Sequence, residues 1–393
     1  MTSTARTGPL AGLRILELGG IGPGPLSAML LADLGAEVLR IDRTGESDLG
    51  TKRPLRYSLV LRNRPAIALD LKDPAARRLL LRLARTADGP IDPFRPGVIE
   101  RLGLRPEVLL EHNARIVVGR MTGWGQTGPM AKLAGHDLNY IGVAGVLNAI
   151  GRRDAPPTPP LNLVGDYGGG ALYLAFGMLA ALLEAKSSGR GQVVDAAMFE
   201  GAASLAMLFW GAHASGEWHH ERGTNYLDSG SPWYDSYRCA DDKWLAVAAI
   251  EDRFYDNFIK GLGLGLVASE LPARAPEHQD ALRQLFAARI AMRTRDDWMS
   301  VFERLDACVG PVLDFDEAPR HPHAVARGSF VEIDGVTQPA PVPRFSRTVP
   351  ATPTPPAPAD NRNLDHILSD WLEPGELPTW QAAGLLAPID RPT

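Results

Sequence analysis

Cysteine is nearly absent: the 393 residues include two, Cys239 and Cys308. They lie far apart and fit neither a Cys-x-x-Cys nor a zinc-finger spacing, which excludes a disulfide scaffold and argues against a metal site. A reducing cytoplasm is the expected setting. Positive charge is also scarce, since 41 Lys and Arg against 46 Asp and Glu leave a net charge of -5 and no basic field for nucleic acid. Residues 1–8 lack the apolar core of a secretory leader. The most apolar stretch, residues 171–183, is shorter than the roughly 20 residues that cross a bilayer and runs into Glu184 and Lys186. A buried helix is expected there, with no membrane partner.

A dinucleotide fingerprint is missing too, although its surroundings are present. Gly20, Gly22 and Gly24 follow a strand pattern, and Asp42 ends the next one at about the distance of a ribose-binding acid. The third glycine of Gly-x-Gly-x-x-Gly is Pro25 in one register and Ser27 in the other. Pro23 and Pro25 also remove N–H groups that a pyrophosphate would use.

What is there reads first as an alternation of strands and helices. Residues 13–18, 37–41, 66–71 and 115–119 have strand character, and residues 26–34 and 73–87 helical character, with Pro74 in a first helical turn. Such alternation predicts a mostly parallel, helix-covered sheet. Residues 168–186 and 196–212 read as helices apolar nearly all round, which implies burial. After about Glu217 the texture changes. Residues 233–237 and 244–250 suggest antiparallel strands, followed by helices over 252–260, 279–291 and 295–305, so a smaller α+β domain is expected. The Pro-rich tract 350–358 predicts an extended connector before short helices at 364–372 and 377–386. The expected divisions are 1–216, 217–329 and 330–393, the last returning to the first domain.

Three titratable groups stand at expected element ends. His136 lies in Gly-His-Asp-Leu-Asn-Tyr (135–140), Asp166 in Gly-Asp-Tyr-Gly-Gly-Gly (165–170), and Glu251 closes an apolar strand. A histidine and a carboxylate beside small residues suit proton transfer to a closely approaching substrate. Each also has a plainer reading: Asp137 and Asp166 as helix caps, His136 as a surface loop residue, Glu251 as a solvated strand-end charge. Arg40, Arg43, Arg62, Arg64, Lys72, Arg95 and Arg101 are dispersed over successive loops of the βα region, as a phosphate-bearing ligand would require, or form solvated surface. Met198, Met207, Leu208, Phe209 and Trp210 suit either an apolar acyl site or ordinary core.

Longer words point further. They include Gly-Pro-Leu-Ala-Gly-Leu-Arg (8–14), Leu-Ala-Asp-Leu-Gly-Ala-Glu-Val (31–38), Arg-Ile-Asp-Arg (40–43), Leu-Asp-Leu-Lys (69–72), Phe-Arg-Pro-Gly (94–97), Thr-Gly-Trp-Gly-Gln-Thr-Gly-Pro (122–129) and Cys-Val-Gly-Pro-Val (308–312). Through nearly its whole length the chain resembles the family III CoA-transferases. Its set of His136, Asp166 and Glu251 resembles the branch that racemises 2-methylacyl-CoA thioesters more than the branch that moves CoA. Two words depart from the family: residues 91–97 read Ile-Asp-Pro-Phe-Arg-Pro-Gly where Glu-Gly-Phe-Arg-Pro-Gly is frequent, and residues 359–363 replace a Gly-x-His-Thr word.

The resemblance implies an α/β fold, with a Rossmann-like large domain and a smaller α+β domain in an interlocked homodimer. It implies His136 and Asp166 as proton carriers and Glu251 as the group that orients and tunes His136. It also implies CoA contacts at Arg43, Lys72, Arg95, Arg101 and Tyr140. The implied reaction interconverts (2R)- and (2S)-2-methylacyl-CoA, with one group removing the C2 proton, the other returning one to the opposite face, and N–H groups near Gly168 stabilising the enolate. No metal or prosthetic group is called for, CoA being part of the substrate. The alternative is CoA transfer between carboxylic acids through a covalent Asp166 intermediate.

Overall fold

A computed structural model describes residues 7–45, 50, 52–265 and 271–390. Most of the N-terminal segment read above, residues 1–6, lies outside them. The chain forms two compact units, one from residues 1–144, 161–205 and 328–393, the other from residues 145–160 and 206–327. Against the divisions expected at 216/217 and 329/330, the first unit gives up residues 145–160 and 206–216 and takes in residues 328–329.

In the first unit the strands are β1 (Arg14–Leu18), β2 (Glu37–Asp42), β3 (Ala66–Ala68), β4 (Gly89–Asp92), β5 (Val118–Thr122) and β6 (Val193–Ala197). All pair in parallel, in the order β3-β2-β1-β4-β5-β6. The helices are α1 (Pro23–Asp33), α2 (Pro74–Ala84), α3 (Val98–Arg101), α4 (Pro106–His112), α5 (Asp137–Val143), α6 (Tyr173–Ser188) and α7 (Met198–Leu205). This is the doubly wound order of a dinucleotide-type fold, whose ligands sit beyond the carboxyl ends of the strands where the order reverses, here between β1 and β4.

Strand residues alternate between two cores, as a period of two demands. Leu16, Leu18, Leu39, Ile41 and Val118 face one, and Ile15, Val38, Val117 and Met121 the other. Two elements depart from the sequence reading. The run Gly-Pro-Ile-Asp forms central strand β4 although Gly and Pro are poor strand residues; a Cβ on Gly89 would stand 2.3 Å from the Val117 carbonyl oxygen, so only glycine fits. Residues 193–197 form edge strand β6, where residues 196–197 read as the start of a helix.

The segment read as one helix over 168–186 begins earlier, as a π-helix over Leu163–Leu172 that runs into α6. The continuous run Leu163–Ser188 has 26 residues and is long and apolar enough to cross a membrane by length and composition, yet half of its apolar window is buried inside the molecule. That is longer than the 13-residue stretch considered above.

The second unit holds α8 (Met207–Ala214), strands β7 (Tyr234–Arg238), β8 (Trp244–Ala248) and β9 (Val309–Val312), and helices α9 (Asp252–Gly261), α10 (Gln279–Ile290), α11 (Arg295–Phe302) and α12 (Pro322–Arg327). Its strands form an antiparallel sheet, β7-β8-β9. The core there is aromatic, built on Trp233, Tyr237, Tyr255, Phe258, Phe286, Trp298 and Phe302.

The C-terminal segment returns to the first unit through the hairpin β10 (Phe330–Ile333) and β11 (Val336–Pro339), then α13 (Leu364–Leu368) and α14 (Glu376–Ala382). Leu364, Leu368, Trp371 and Leu377 cover one face of the sheet. In the departed word 359–363, Asn361 continues the edge of β3: its Oδ1 accepts the Ala68 N–H at 2.7 Å and its Nδ2 donates to the Ala68 carbonyl at 3.0 Å.

Candidate active site

At the reversal point, the loop after β1 meets the loop after β4. A Cβ on Gly20 would lie 2.7 Å from the Pro93 ring, and one on Gly24 would lie 3.1 Å from it. Pro93, the departure from the family word, therefore fills the crevice between the loops. Beside it a cleft of about 500 Å³ is lined by Gly19, Gly22, Arg40, Asp42, Arg43 and Tyr167, among others.

Three of the arginines considered for phosphate are structural. Arg64 is fully buried against Glu17, 3.1 Å away, and donates to the Pro25 carbonyl at 2.8 Å and to the Val60 carbonyl. Burial pushes the Glu17 carboxyl up to about 7, with Arg64 and Arg40 opposing the shift. Arg62 pairs with Asp33 and reaches Gln338 and the Pro339 carbonyl, while Arg40 donates to the Ala357 carbonyl at 2.7 Å. Arg62 and Arg40 thus tie the returning C-terminal segment to the sheet, although Arg40 also borders the cleft.

The residues expected to contact CoA are spread along the carboxyl edge. Arg43 follows β2 and lines the cleft; Lys72, Arg95 and Arg101 are exposed after β3 and β4 and do not line it. Tyr140 is buried, with its hydroxyl donating to the Gly135 carbonyl and its ring set edge-on against Trp124 at 4.8 Å. A Cβ on Gly123 would stand 2.1 Å from that ring, so Tyr140 holds the loop that leads to His136. Burial, Asp166 and Asp137 push its hydroxyl up to about 12, against the opposing charge of Arg95.

His136 is exposed at the N-cap of α5, and Asn139 Oδ1 accepts its N–H at 3.0 Å. Asp137 follows it, buried, and does not serve as the cap of α5 that the sequence suggested. Its Oδ2 accepts the N–H groups of Gly165 and Asp166, each at 2.7 Å. It thus caps the π-helix, and Asp166 is no N-cap: its side chain lies within the first turn, half-buried, with Asn162 donating to Oδ2 at 3.3 Å. A Cβ on Gly22 would come 3.4 Å from the same oxygen, which places Asp166 beside the β1–α1 loop.

Burial raises the Asp166 pKa above the ordinary carboxylate value; the negative Asp137 adds to this, while the Asn162 bond and the nearby His136 oppose it. The two expected proton carriers therefore share one electrostatic neighbourhood. The glycines after Asp166 serve packing. A Cβ on Gly169 would lie 2.5 Å from the Ala202 nitrogen, and one on Gly201 1.9 Å from the Gly169 carbonyl oxygen, so α7 rests backbone to backbone on the wide turn. The backbone near Gly168 is wound into the π-helix, so these N–H groups are not the free donors expected for an enolate.

Glu251 belongs to the second unit. It is exposed and forms the N-cap of α9, its backbone carbonyl accepting from Phe254 and Tyr255 at 3.0 Å each. Arg274 holds that corner by donating to the Ile250 carbonyl at 2.5 Å and to Asp252 at 2.9 Å, and it stacks on Trp233 and Tyr255. Of the apolar set, Met198 is core, whereas Met207, Leu208 and Trp210 are exposed on α8. Sequence reasoning missed Asn162 and the cap made by Asp137. The four-residue step from Asn162 to Asp166 was a usable signal; the 28 residues between Asp137 and Gly165 left none.

The chain belongs to the CoA-transferase family III, whose model matches residues 10–363. Among curated relatives it is similar to the alpha-methylacyl-CoA racemase of Mus musculus, 43% identical and covering 88% of each chain. The Homo sapiens protein of the same name is 42% identical, covering 87% of this chain and 88% of its own. A succinyl-CoA--D-citramalate CoA-transferase of Chloroflexus aurantiacus is 31% identical over 88% of this chain and 90% of its own. A CAIB/BAIF family protein from Brucella suis is similar in structure, with a TM-score of 0.80, 26% identity, and 93% of this chain and all of that one covered.

Proposed function

We propose that the protein interconverts (2R)- and (2S)-2-methylacyl-CoA thioesters. The observation that carries this reading is His136 beside an Asp166 whose affinity for a proton is raised by burial. An acid alpha to a thioester is weak, and each pK unit of mismatch with its base adds about 1.4 kcal/mol, so a carboxylate of raised basicity suits the task. One carrier takes the C2 proton, leaving an enolate, and the other returns a proton to the opposite face. The 42–43% identity to racemases supports the same reading.

The alternative, CoA transfer through an Asp166 anhydride, has support in the transferases of the family. A nucleophilic carboxylate and a general base must both be ionised, so the raised proton affinity of Asp166 serves neither reading over the other; the higher identity to the racemases, 42–43% against 31%, favours racemisation. Racemisation predicts entry of solvent deuterium at C2 without any acceptor acid and no adduct on Asp166. Complete retention of the C2 hydrogen, with an Asp166 adduct trapped by hydroxylamine and seen by mass spectrometry, would move the assignment to the transferase.

Glu251 is assigned to orient and tune His136, and Arg43, Lys72, Arg95 and Arg101 to the CoA phosphates and nucleotide. Unchanged CoA affinity in Arg95→Ala removes that residue from the set. A homodimer is part of the proposal. Leu172, Phe176 and Leu183, spaced along one helical run, are 54%, 73% and 73% exposed and offer an apolar row to a second copy. A monomer by sedimentation would refute it.

A further inference from the structure

Asp137 stands between the two proton carriers in both the chain and the fold. It follows His136 directly, and its Oδ2 grips the N–H of Asp166 itself as well as that of Gly165. The residue is 5% exposed, and Oδ1 is buried with no hydrogen-bond partner among the described residues. A helix N-terminus can be capped by a neutral Ser, Thr or Asn, so a buried carboxylate with one oxygen unpaired is more than capping requires.

One peptide unit and one hydrogen bond therefore connect His136 to the backbone of Asp166. The glycine at 165 is needed for the grip, since a Cβ there would stand 2.7 Å from Oδ2. Around Asp166, the charged or titratable groups that act on it or its neighbours are His136, Asp137 and Tyr140 on α5, with Arg95 acting on Tyr140. Against the wide turn, α7 sets Met198, Gly201, Ala202 and Leu205, and α1 sets Gly22 and Pro23, none of which titrates. The charge of Asp137 adds to the proton affinity of Asp166, which works in the same direction as its geometric role.

We infer that Asp137 is the positioning residue that fixes the spacing of His136 and Asp166, so that the enolate is reprotonated on the face opposite the one that lost its proton. The inference rests on the racemase reading. If the grip loosens, Asp166 drifts while His136 stays. The proton taken from C2 by His136 then exchanges with solvent and returns to the same face, giving label without inversion.

The test incubates the full-length protein with one C2 epimer of a 2-methylacyl-CoA in deuterated water and compares label in the unreacted epimer with label in the inverted one. Asp137→Ala is expected to lower inversion roughly 100-fold, with KM within about twofold and a several-fold higher ratio of exchange to inversion from the epimer whose C2–H faces His136. Asp137→Glu keeps the charge and moves the acceptor, so its ratio should also rise. It serves in place of the alanine variant if that one does not fold. Asp137→Asn keeps an oxygen for both N–H groups, so its ratio should stay close to wild type, while loss of the charge lowers the proton affinity of Asp166 and moves the acid limb of the rate profile to lower pH. A ratio unchanged in both Ala and Glu variants, with exchange and inversion falling together, overturns the inference and leaves the racemase reading intact. Wild-type protein that shows no exchange at all overturns the racemase reading and the inference with it.

Discussion

Asp166 sits in a helix wound wider than usual, its amide held by a buried carboxylate and its turn pressed against α7 through glycine contacts. Glu251 stands exposed at the N-cap of α9, with no side-chain capping bond among the described residues, on a corner that Arg274 secures through the neighbouring Ile250 and Asp252. Under the proposed roles, the difference separates two kinds of duty. A group that exchanges a proton with carbon needs fixed geometry and a reduced dielectric, because both set its pKa and its distance to the reacting atom. A group that steers another side chain can act from the surface, where its charge is partly screened and its loss is tolerated better.

The sharpest way to break this comparison is removal of the proposed carriers. Asp166→Asn and His136→Ala are each expected to lower epimerisation by about 10³-fold or more at unchanged fold, judged by initial rates and circular dichroism. A vigorous Asp166→Asn enzyme would place the chemistry elsewhere. Next comes the scaffold of the wide turn. Gly201→Ala puts a methyl 1.9 Å from the Gly169 carbonyl oxygen, so the helices must part, at a cost of about 1–3 kcal/mol, readable in denaturant melts together with lost activity. A neutral outcome would mean that α7 does not brace Asp166.

On the Glu251 side the effects should be smaller. Glu251→Gln and Arg274→Ala are each expected to reduce kcat about 10-fold, leaving both carriers in place. A loss as deep as that of His136→Ala would put Glu251 among the carriers. The smallest effect expected is a shift of the pH profile. Asn162 donates to the ionised form of Asp166 and holds its pKa down, so Asn162→Ala raises that pKa. Where Asp166 acts as base it must be ionised, so the acid limb of the rate profile should move to higher pH. A limb that moves down would exclude Asp166 as the titrating base.

The alternation of β1, α1 and β2, the extended connector at 350–358 and the antiparallel pair β7 and β8 were legible because each follows from local periodicity or from proline. Strand β4 was not, since its Gly-Pro start matches no strand propensity and is dictated by the lack of room beside Val117. Arg40, Arg62 and Arg64 looked like ligand contacts. In a linear reading nothing reveals that Glu17, Asp33 and the carbonyls of residues 339 and 357 would claim them.

By itself the sequence determined the layered α/β architecture, the family, and the identity of His136, Asp166 and Glu251 as the residues to watch, because local patterning and short words carry that information. Tertiary structure alone decided that Asp137 caps the π-helix and that Asp166 does not. Asp137 looked like the cap of its own helix and Asp166 like a cap as well, yet two amides brought from 28 and 29 residues away turned the first into the brace and left the second side chain half-buried beside His136. Hydrogen bonds between distant segments form only once the chain has folded, and burial, which sets the proton affinity of Asp166, is a property of the neighbours a residue acquires in three dimensions.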